Sequence, residues 1–452
     1  MEYKSYARRW LLLMILCIIS FTQIYTTTGF AILHDVVANY FSITPYQADI
    51  LTMVGQLIAF PVGIGTAYFA DILSLQALML GMLISLEIGS LMCAIGFSSR
   101  ELFYVTAVGR IMMSSIMGVL RATQVVLAAN WFLQNETATA FALPQFFMKL
   151  AGIAGSLIYP HTIPKVHITA NGTEEYTSTT ILFTATNGIF STIVLIALIV
   201  GALYCKNYPP SPPSRSQEQL ILSTTDSAKN MTNNRRLSAI WNVVNSKPFV
   251  LISAAFFFAS VSLSYVVYLM PSFVLSSFPE LDNTTPGYIS ISRTAVSALS
   301  AMATGKILDR YKAFKLTAFV GIAGVALSLL CLYYAHSYKL LSLIYTGYCV
   351  AAVGQSVLIT ANVELLVETT YPCDKLRMMS IYGGIAGLGV FLWTSAIRAV
   401  KEKFNVPSAT ILATAVATVS MLLILSVSPD YKRLKTDKTK SETLTDRLNE
   451  NH

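Results

Sequence analysis

Five ionisable side chains lie inside long apolar stretches of this sequence, where little water is expected. They are Glu87, Arg110, Lys149, Arg293 and Glu364. Placing a charge at the centre of a bilayer costs several kcal/mol, so such residues usually pair, line a watery cavity or bind a solute. These residues are the first candidates for chemistry.

Lys149 is the strongest of these candidates. It lies in ALPQFFMKLAGIAGSLIYP (142–160), and the small residues that follow it at 151–156 are typical of closely packed helix faces. At ~1.5 Å rise per residue, Glu87 and Lys149 lie about 16–18 Å from the ends of their apolar stretches. We expect Lys149 to contact a solute or a coupling carboxylate, with an ion pair to Glu87 as the alternative. Glu87 has a second alternative partner in Arg110.

Further polar and aromatic residues occur in two stretches that would be equivalent helices of an internal repeat, FTQIYTTTG near residue 25 and SLSYVVYLMP near residue 265. Helix breakers follow both, at Gly29 and Pro271, as expected where a helix bends around a cavity. Ordinary contacts between helices are the alternative interpretation for any single one of them. The candidate lining residues are Gln23, Tyr25, Thr27, Tyr265 and Tyr268.

The composition indicates a membrane protein. Of 452 residues, 54% are hydrophobic and 12% are charged, whereas soluble domains carry roughly 25% charged residues. The net charge of +8 resides in short segments between apolar stretches, as the positive-inside rule predicts, and this distribution argues against nucleic-acid binding. Six scattered cysteines without a Cys/His cluster predict neither a metal nor a cofactor. No catalytic motif indicates an enzyme.

Twelve apolar stretches are long enough to cross a hydrocarbon core. They predict an all-α membrane protein with twelve transmembrane helices in two six-helix halves. We expect an N-terminal half at 1–204, a cytoplasmic linker at 205–247, a C-terminal half at 248–428 and a cytoplasmic tail at 429–452. The predicted spans are 10–33, 46–70, 75–97, 102–130, 138–160, 180–204, 248–276, 287–308, 316–336, 340–367, 377–400 and 408–428.

The distribution of lysine and arginine places the N-terminus in the cytoplasm. The N-x-[ST] sequons at Asn171 and Asn283 then lie on the outer side, where glycosylation is expected. We also expect charged residues at the cytoplasmic helix ends to control opening by forming and breaking pairs. For Arg310 the alternative is a purely topological role, and for the Glu364 and Glu368 pair it is a static pairing. The candidate gating residues are Asp71, Asp309, Arg310, Glu364 and Glu368.

The second and eighth spans end in similar loops, GTAYFADILSLQ and ATGKILDRYKAFK. The latter resembles the G-x-x-x-D-R loop motif of the major facilitator superfamily, and the former keeps little of it beyond Asp71. This resemblance implies two joined six-helix halves with the solute site between them near the membrane midplane.

A narrower resemblance is carried by ELLVETTYP at 364–372, by YARRWLLLMILCIISF and by ANWFLQNETATAFALPQFFMKLAGIAGSLIYPHTIP. These stretches are similar to the feline leukaemia virus subgroup C receptor-related transporters, which implies transport of choline- or ethanolamine-like amines, or of haem. The positions of that family's amine site are here Thr27, Lys149 and Gly387, so none of its tryptophan and glutamine side chains is retained.

The sequence therefore predicts a carrier that moves a small organic solute by alternating access. Inward-facing cations favour an anionic or haem-like solute. The alternatives are an amine facilitator of the family's type and a membrane receptor that transports nothing. A coupling proton or ion and the lipid bilayer are further expected partners, and the plasma membrane is favoured over an internal membrane.

Overall fold

The computed structural model describes residues 6–132, 136–162, 173–209, 233–281, 284–370, 375–428 and 431. Within these ranges the regular structure is helical. The helices up to residue 204 are α1 (Arg8–Ile32), α2 (His34–Phe41), α3 (Pro45–Tyr68), α4 (Leu75–Gly96), α5 (Phe103–Ser115), α6 (Met117–Trp131), α7 (Thr137–Thr162) and α8 (Thr173–Tyr204).

A short helix, α9 (Asn233–Val244), precedes the second half. The helices of that half are α10 (Lys247–Leu263), α11 (Met270–Ser277), α12 (Thr284–Tyr311), α13 (Phe314–Ser337), α14 (Leu341–Thr370), α15 (Lys375–Lys403) and α16 (Val406–Ser426). A π-helical segment, Ser264–Tyr268, joins α10 to α11.

Eleven helices in the described part of the chain are long and apolar enough to cross a membrane. The predicted span at 287–308 lies within α12, which has 28 residues but is less apolar than the others. Its charged residues, including Arg293, Lys306 and Arg310, lower its hydropathy. The twelve-helix pattern is consistent with this arrangement, with α5 and α6 forming one span that bends at Ile116.

Local sequence accounts for several helix boundaries. Thr44 and Gln47 form a capping box at the start of α3, and Asn405 caps α16 through the backbone N–H of Ser408. The break between α10 and α11 precedes Pro271, the second residue of α11. Proline lacks the N–H that would continue the helix, and π-type turns commonly occur at such interruptions.

Two close helix contacts join the halves. Near the predicted cytoplasmic side, α3 packs on α15, and a Cβ added to Gly63 would lie 2.4 Å from the Ser380 carbonyl oxygen. Toward the predicted outer side, α7 packs on α12, where a Cβ at Gly287 would lie 2.7 Å from the Ser156 carbonyl oxygen. Small residues allow both approaches, as in other membrane helix pairs.

Candidate functional site between the halves

Lys149 reaches from one half of the molecule to the other. It lies on α7, and its Nζ donates a hydrogen bond to Ser297 Oγ on α12 at 2.8 Å. Neither Glu87 nor another carboxylate lies within ion-pair distance of Lys149 among the described residues. The alternative of a Glu87–Lys149 ion pair is therefore wrong, because the two side chains point into different interfaces.

Glu87 lies within the N-terminal half, between α4 and α8. Its Oε1 accepts a hydrogen bond from Ser191 Oγ at 2.7 Å, and its Oε2 is buried without a hydrogen-bond partner. It forms no ion pair with Arg110, so that alternative is also wrong. A hydroxyl on the neighbouring helix satisfies part of the carboxyl group, away from the contact between the halves.

Arg110 on α5 is fully buried. Its Nη1 and Nη2 lie 3.5 Å from Thr26 Oγ1 and 3.2 Å from Thr27 Oγ1, both on α1. Its guanidinium lies over the Phe30 ring, 4.4 Å from the centroid, which is a favourable cation–π distance. Neutral groups therefore enclose this charge, and its Nε has no hydrogen-bond partner.

Arg293 on α12 and Arg121 on α6 extend the positive charge around Lys149. Both are close enough to Lys149 for like-charge repulsion. Arg293 donates from Nη2 to Ser290 Oγ at 3.3 Å, and its Nε is buried without a hydrogen-bond partner. We call Arg121, Lys149 and Arg293 the cation cluster.

Arg121 is not among the residues predicted from the sequence, although its spacing carries a signal. Arg121 follows Arg110 by eleven residues, which is about three helical turns of 3.6 residues, so one uninterrupted helix over the predicted span 102–130 would place both arginines on one face. A search for charges at that spacing would have found it.

The aromatic candidates divide between core and interface. Tyr25 packs against Tyr159 and Phe190 inside the N-terminal half. Tyr265 is fully buried in the C-terminal half, and its hydroxyl lies 2.6 Å from Thr410 Oγ1. The structure places neither ring in the contact between the halves, because both turn toward their own helix bundles.

Tyr268 lies between the halves, where its hydroxyl accepts a hydrogen bond from Gln56 Nε2 of α3 at 2.7 Å. Gln23 is buried, with its Oε1 unpartnered, and Thr27 contacts Arg110. Gln56 was missed from the sequence, since one glutamine among apolar residues carries no special spacing. Its role becomes visible only from its contact with the opposite half.

Neutral amides continue this polar region beside the cation cluster. Gln145 Nε2 donates to Gln124 Oε1 at 2.7 Å, and Gln124 Nε2 donates to Ser20 Oγ at 3.3 Å. This chain of hydrogen bonds connects α7, α6 and α1. It orients amide dipoles without adding a negative charge.

The predicted cytoplasmic end of the interface carries an ion-pair cluster. Arg377 Nη2 of α15 donates to both Asp71 carboxylate oxygens at 2.9 Å, and Arg377 Nε donates to the Ala67 carbonyl at 3.1 Å. Arg236 of α9 approaches the same carboxylate, with Nε 3.8 Å from Oδ2. We call Asp71, Arg236 and Arg377 the inner clamp. Both arginines were missed because their pairing with Asp71 is non-local.

The other predicted gating residues lie near the ends of α12 and α14. Arg310 is exposed and contacts the Tyr311 ring. Glu364 is exposed and Glu368 is buried, near the end of α14. The side chain of Asp309 lies outside the described residues, as do both predicted glycosylation sites, Asn171 and Asn283.

At the predicted outer end, Asp35 of α2 faces the basic end of α15. Burial alone would raise the pKa of Asp35, but a hydrogen bond with His34 and the charges of Lys401 and Arg398 together lower it. His34 Nε2 lies 2.9 Å from Asp35 Oδ1. In the described ranges, no group of three His, Cys, Asp or Glu residues could hold a metal ion.

The sequence profile of the Major Facilitator Superfamily matches residues 13–280 and 279–449. The chain belongs to this superfamily. It is thus an integral, multi-pass membrane transporter for small solutes. The predicted fold class and family resemblance are confirmed.

Curated relatives of this superfamily member cover most of its length at low identity. The human choline/ethanolamine transporter FLVCR2 is 21% identical over 99% of this chain and 82% of its own. Mouse FLVCR1, also named a choline/ethanolamine transporter, is 22% identical over 94% of this chain and 76% of its own. An uncharacterized MFS-type transporter of Caenorhabditis elegans is 22% identical over 96% and 71%.

Solved structures support the same fold. A bacterial homologue of the human lysosomal transporter Spinster, inward-facing, matches with a TM-score of 0.68 and 13% identity, covering 95% of this chain and 99% of its own. The transporter FucP, in the outward conformation, matches with a TM-score of 0.64 and 14% identity, covering 92% and 98%. The chain is therefore similar in fold to an inward-facing structure and to a structure in the outward conformation.

Proposed function

We propose that this transporter carries a small organic anion, such as a carboxylate-bearing solute, and binds it at the cation cluster. The supporting observation is the grouping of Arg121, Lys149 and Arg293 between the halves, where no carboxylate of the described residues lies within ion-pair distance of Lys149. In a medium of low dielectric constant, like charges at close range are costly. A bound anion offsets that repulsion.

The contact between Lys149 and Ser297 suggests how an anion would bind. The hydroxyl is a neutral acceptor, whereas a carboxylate would add the Coulomb attraction of a full negative charge, which is strong in a medium of low dielectric constant. A carboxylate can therefore displace Ser297 from the ammonium. Because Lys149 belongs to α7 and Ser297 to α12, this exchange changes a contact between the halves, as alternating access requires.

A second candidate is an amine facilitator, which the names of the FLVCR relatives favour. The positive charges of the cation cluster argue against an amine as the solute. A choline-like ligand would meet the like charge of Lys149 at one of the positions that bind the amine in that family, and would find Thr27 instead of an aromatic wall. Recognition of quaternary ammonium groups depends on aromatic faces. We therefore place amines second.

We also infer a carrier and not an enzyme, working at the plasma membrane with a proton or another ion as the coupling partner. A receptor that transports nothing has less support, because recognition through loops would require no charges between the halves.

The test is uptake into proteoliposomes by the purified chain and by Lys149→Gln. A panel of mono- and dicarboxylates, haem, choline and ethanolamine is supplied with and without a proton gradient. We expect carboxylate uptake by the wild type and a loss of about tenfold or more in Lys149→Gln, because a charged hydrogen bond contributes roughly 1.5–3 kcal/mol. Lys149→Arg is the matched control, since it keeps the positive charge.

Choline uptake by the wild type with no carboxylate uptake would overturn the proposal and favour the amine facilitator. Choline uptake gained only in Lys149→Gln would support it, because removal of the charge would then have switched the selectivity. Absence of flux for every solute, with correctly folded protein, would favour the receptor.

A further inference from the structure

The helix α9 contains a basic motif next to the inner clamp. Its sequence from residue 235 is Arg235-Arg236-Leu237-Ser238, with Ser238 exposed to solvent. Arginines three and two residues before a serine form a pattern that arginine-directed kinases bind through their own carboxylates. The motif lies in the predicted cytoplasmic linker, where ATP and kinases are present.

The second arginine of the motif is also the third member of the inner clamp. Its Nε lies 3.8 Å from Asp71 Oδ2, which is beyond hydrogen-bond distance, and this atom is buried without a hydrogen-bond partner. Its guanidinium lies 5.9 Å from the centre of the Tyr68 ring. Arg236 is therefore attracted to the clamp but weakly held, in contrast to Arg377 at 2.9 Å.

The structure of α9 makes its first turns easy to release. It has only 12 residues, and helices of that length are marginal without tertiary packing. Its apolar anchors, Ile240 and Val243, lie toward its C-terminal end. The first turns of α9, which carry the motif, are therefore held in place more by charge than by apolar contacts.

We propose that Ser238 is a phosphorylation site whose modification releases Arg236 from Asp71. In the reaction, the Ser238 hydroxyl oxygen forms a bond to the γ-phosphorus of ATP, the bond from that phosphorus to ADP breaks, and the hydroxyl proton passes to the kinase. Residues three apart share a helix face, so the phosphate pairs with Arg235. It also brings a charge of about −1.5 to −2 to a helix whose Arg236 lies beside Asp71.

Release of Arg236 is needed at two stages. A kinase reads the motif as an extended segment, so the first turns of α9 must leave the clamp before transfer. Afterwards the phosphate repels the Asp71 carboxylate and competes for Arg236. Modification therefore removes one of the two cations of the inner clamp and eases separation of α3 from α15 at this end. This effect of phosphorylation on the inner clamp does not depend on which solute the transporter carries.

The first test treats the purified intact protein with ATP and an arginine-directed serine/threonine kinase, followed by mapping of the phosphate. We expect incorporation at Ser238, its loss in Ser238→Ala, and no change in Ser223→Ala, whose serine has no basic residue in the three preceding positions. Asp71→Asn should raise the initial rate several-fold, because Arg236 is then released. Incorporation unaffected by Ser238→Ala would overturn the site.

The second test is a double-mutant cycle of Ser238→Asp and Arg236→Ala, read by hydrogen–deuterium exchange in α9 and at the end of α3. Ser238→Asp should raise exchange several-fold in the wild-type background. It should add little in Arg236→Ala, where that contact is already absent. An equal rise in both backgrounds, or no rise in the wild type, would overturn the role of Arg236. Unchanged exchange in α13 is the control for general unfolding.

Discussion

The two contacts that join the halves have different chemistry. The α3–α15 contact combines close glycine packing with the ion pair of Asp71 and Arg377, whose side chains are 12% and 6% exposed. The α7–α12 contact uses a hydroxyl pair, Ser156 and Ser290 at 2.9 Å, and the Lys149 contact with Ser297. An ion pair holds the first contact, whereas the acceptors in the second are neutral hydroxyls.

This difference bears on how the transporter moves. Breaking a buried ion pair leaves an uncompensated charge, so the α3–α15 contact is costly to open unless another group takes its place. Exchanging one hydroxyl partner for another costs little. In the proposed function, an anion bound at Lys149 would therefore alter the α7–α12 contact directly, and we expect the inner clamp to limit opening at the opposite end.

The largest expected effect comes from Asp71→Asn. This substitution removes the charge that Arg377 contacts through both oxygens, and it should destabilise the protein by about 3 kcal/mol, the lower range for breaking a buried pair. The measurement is thermal unfolding in detergent together with hydrogen–deuterium exchange at the ends of α3 and α15 that carry the inner clamp. Glu101→Gln, at an exposed glutamate, is the control for loss of one negative charge. Equal stability of both variants would show that the inner clamp contributes nothing.

The next effect in size concerns close packing at the same contact. Gly63→Ala places a methyl group 2.4 Å from the Ser380 carbonyl oxygen, and overpacking of this kind typically costs about 1–3 kcal/mol. Gly65→Ala is a matched control on the same helix, because no atom lies within 4 Å of its added Cβ. We expect Gly63→Ala to lower the unfolding temperature and Gly65→Ala to keep or raise it. The reverse order would contradict the packing of α3 on α15.

A smaller effect is expected at the α7–α12 contact. Ser156→Ala removes the hydrogen bond to Ser290 and should cost about 1 kcal/mol, less than Asp71→Asn. Ser292→Ala is the control, because the Ser292 hydroxyl bonds to carbonyls of its own helix. The comparison uses unfolding temperatures of the three variants. If Ser156→Ala is as harmful as Asp71→Asn, the contrast between the two contacts is wrong.

The smallest effect concerns Asp35 at the outer end. Because its pKa is lowered in the folded protein, its carboxylate contributes stability above its unfolded pKa, and this contribution is lost as the pH falls through the folded value. The side chain is 47% exposed, so solvent screening keeps the contribution below about 1 kcal/mol. Asp35→Asn should lower stability slightly at pH 7. The difference from wild type should shrink as the pH falls below about 4; a difference that grows on acidification would contradict it.

Much of the fold could be predicted from the sequence. Apolar length and the lysine and arginine distribution gave the spans, and the predicted 10–33 and 408–428 agree closely with Arg8–Ile32 and Val406–Ser426. Span 287–308 was also recognised by its length, although its charges make it less apolar. The reason is that the thickness of the bilayer sets the length of each spanning helix separately. The composition of each segment is therefore sufficient to identify it as a span.

The candidate site was predictable only in part. Lys149 could be singled out, because an unusual charge in an apolar helix is a local signal, and Asp71 stood out at a helix end. The partners could not be found in this way. Ser297 is 148 positions from Lys149, and Arg377 is 306 positions from Asp71.

The sequence by itself determined the membrane class, the spans and the need of each buried charge for a favourable environment. Only the tertiary structure decided which environment each charge received: hydroxyls and Phe30 for Arg110, Ser191 for Glu87, and Ser297 for Lys149. The physical reason is that desolvation of a charge depends on its own helix, whereas its compensation depends on atoms brought near by packing with distant segments.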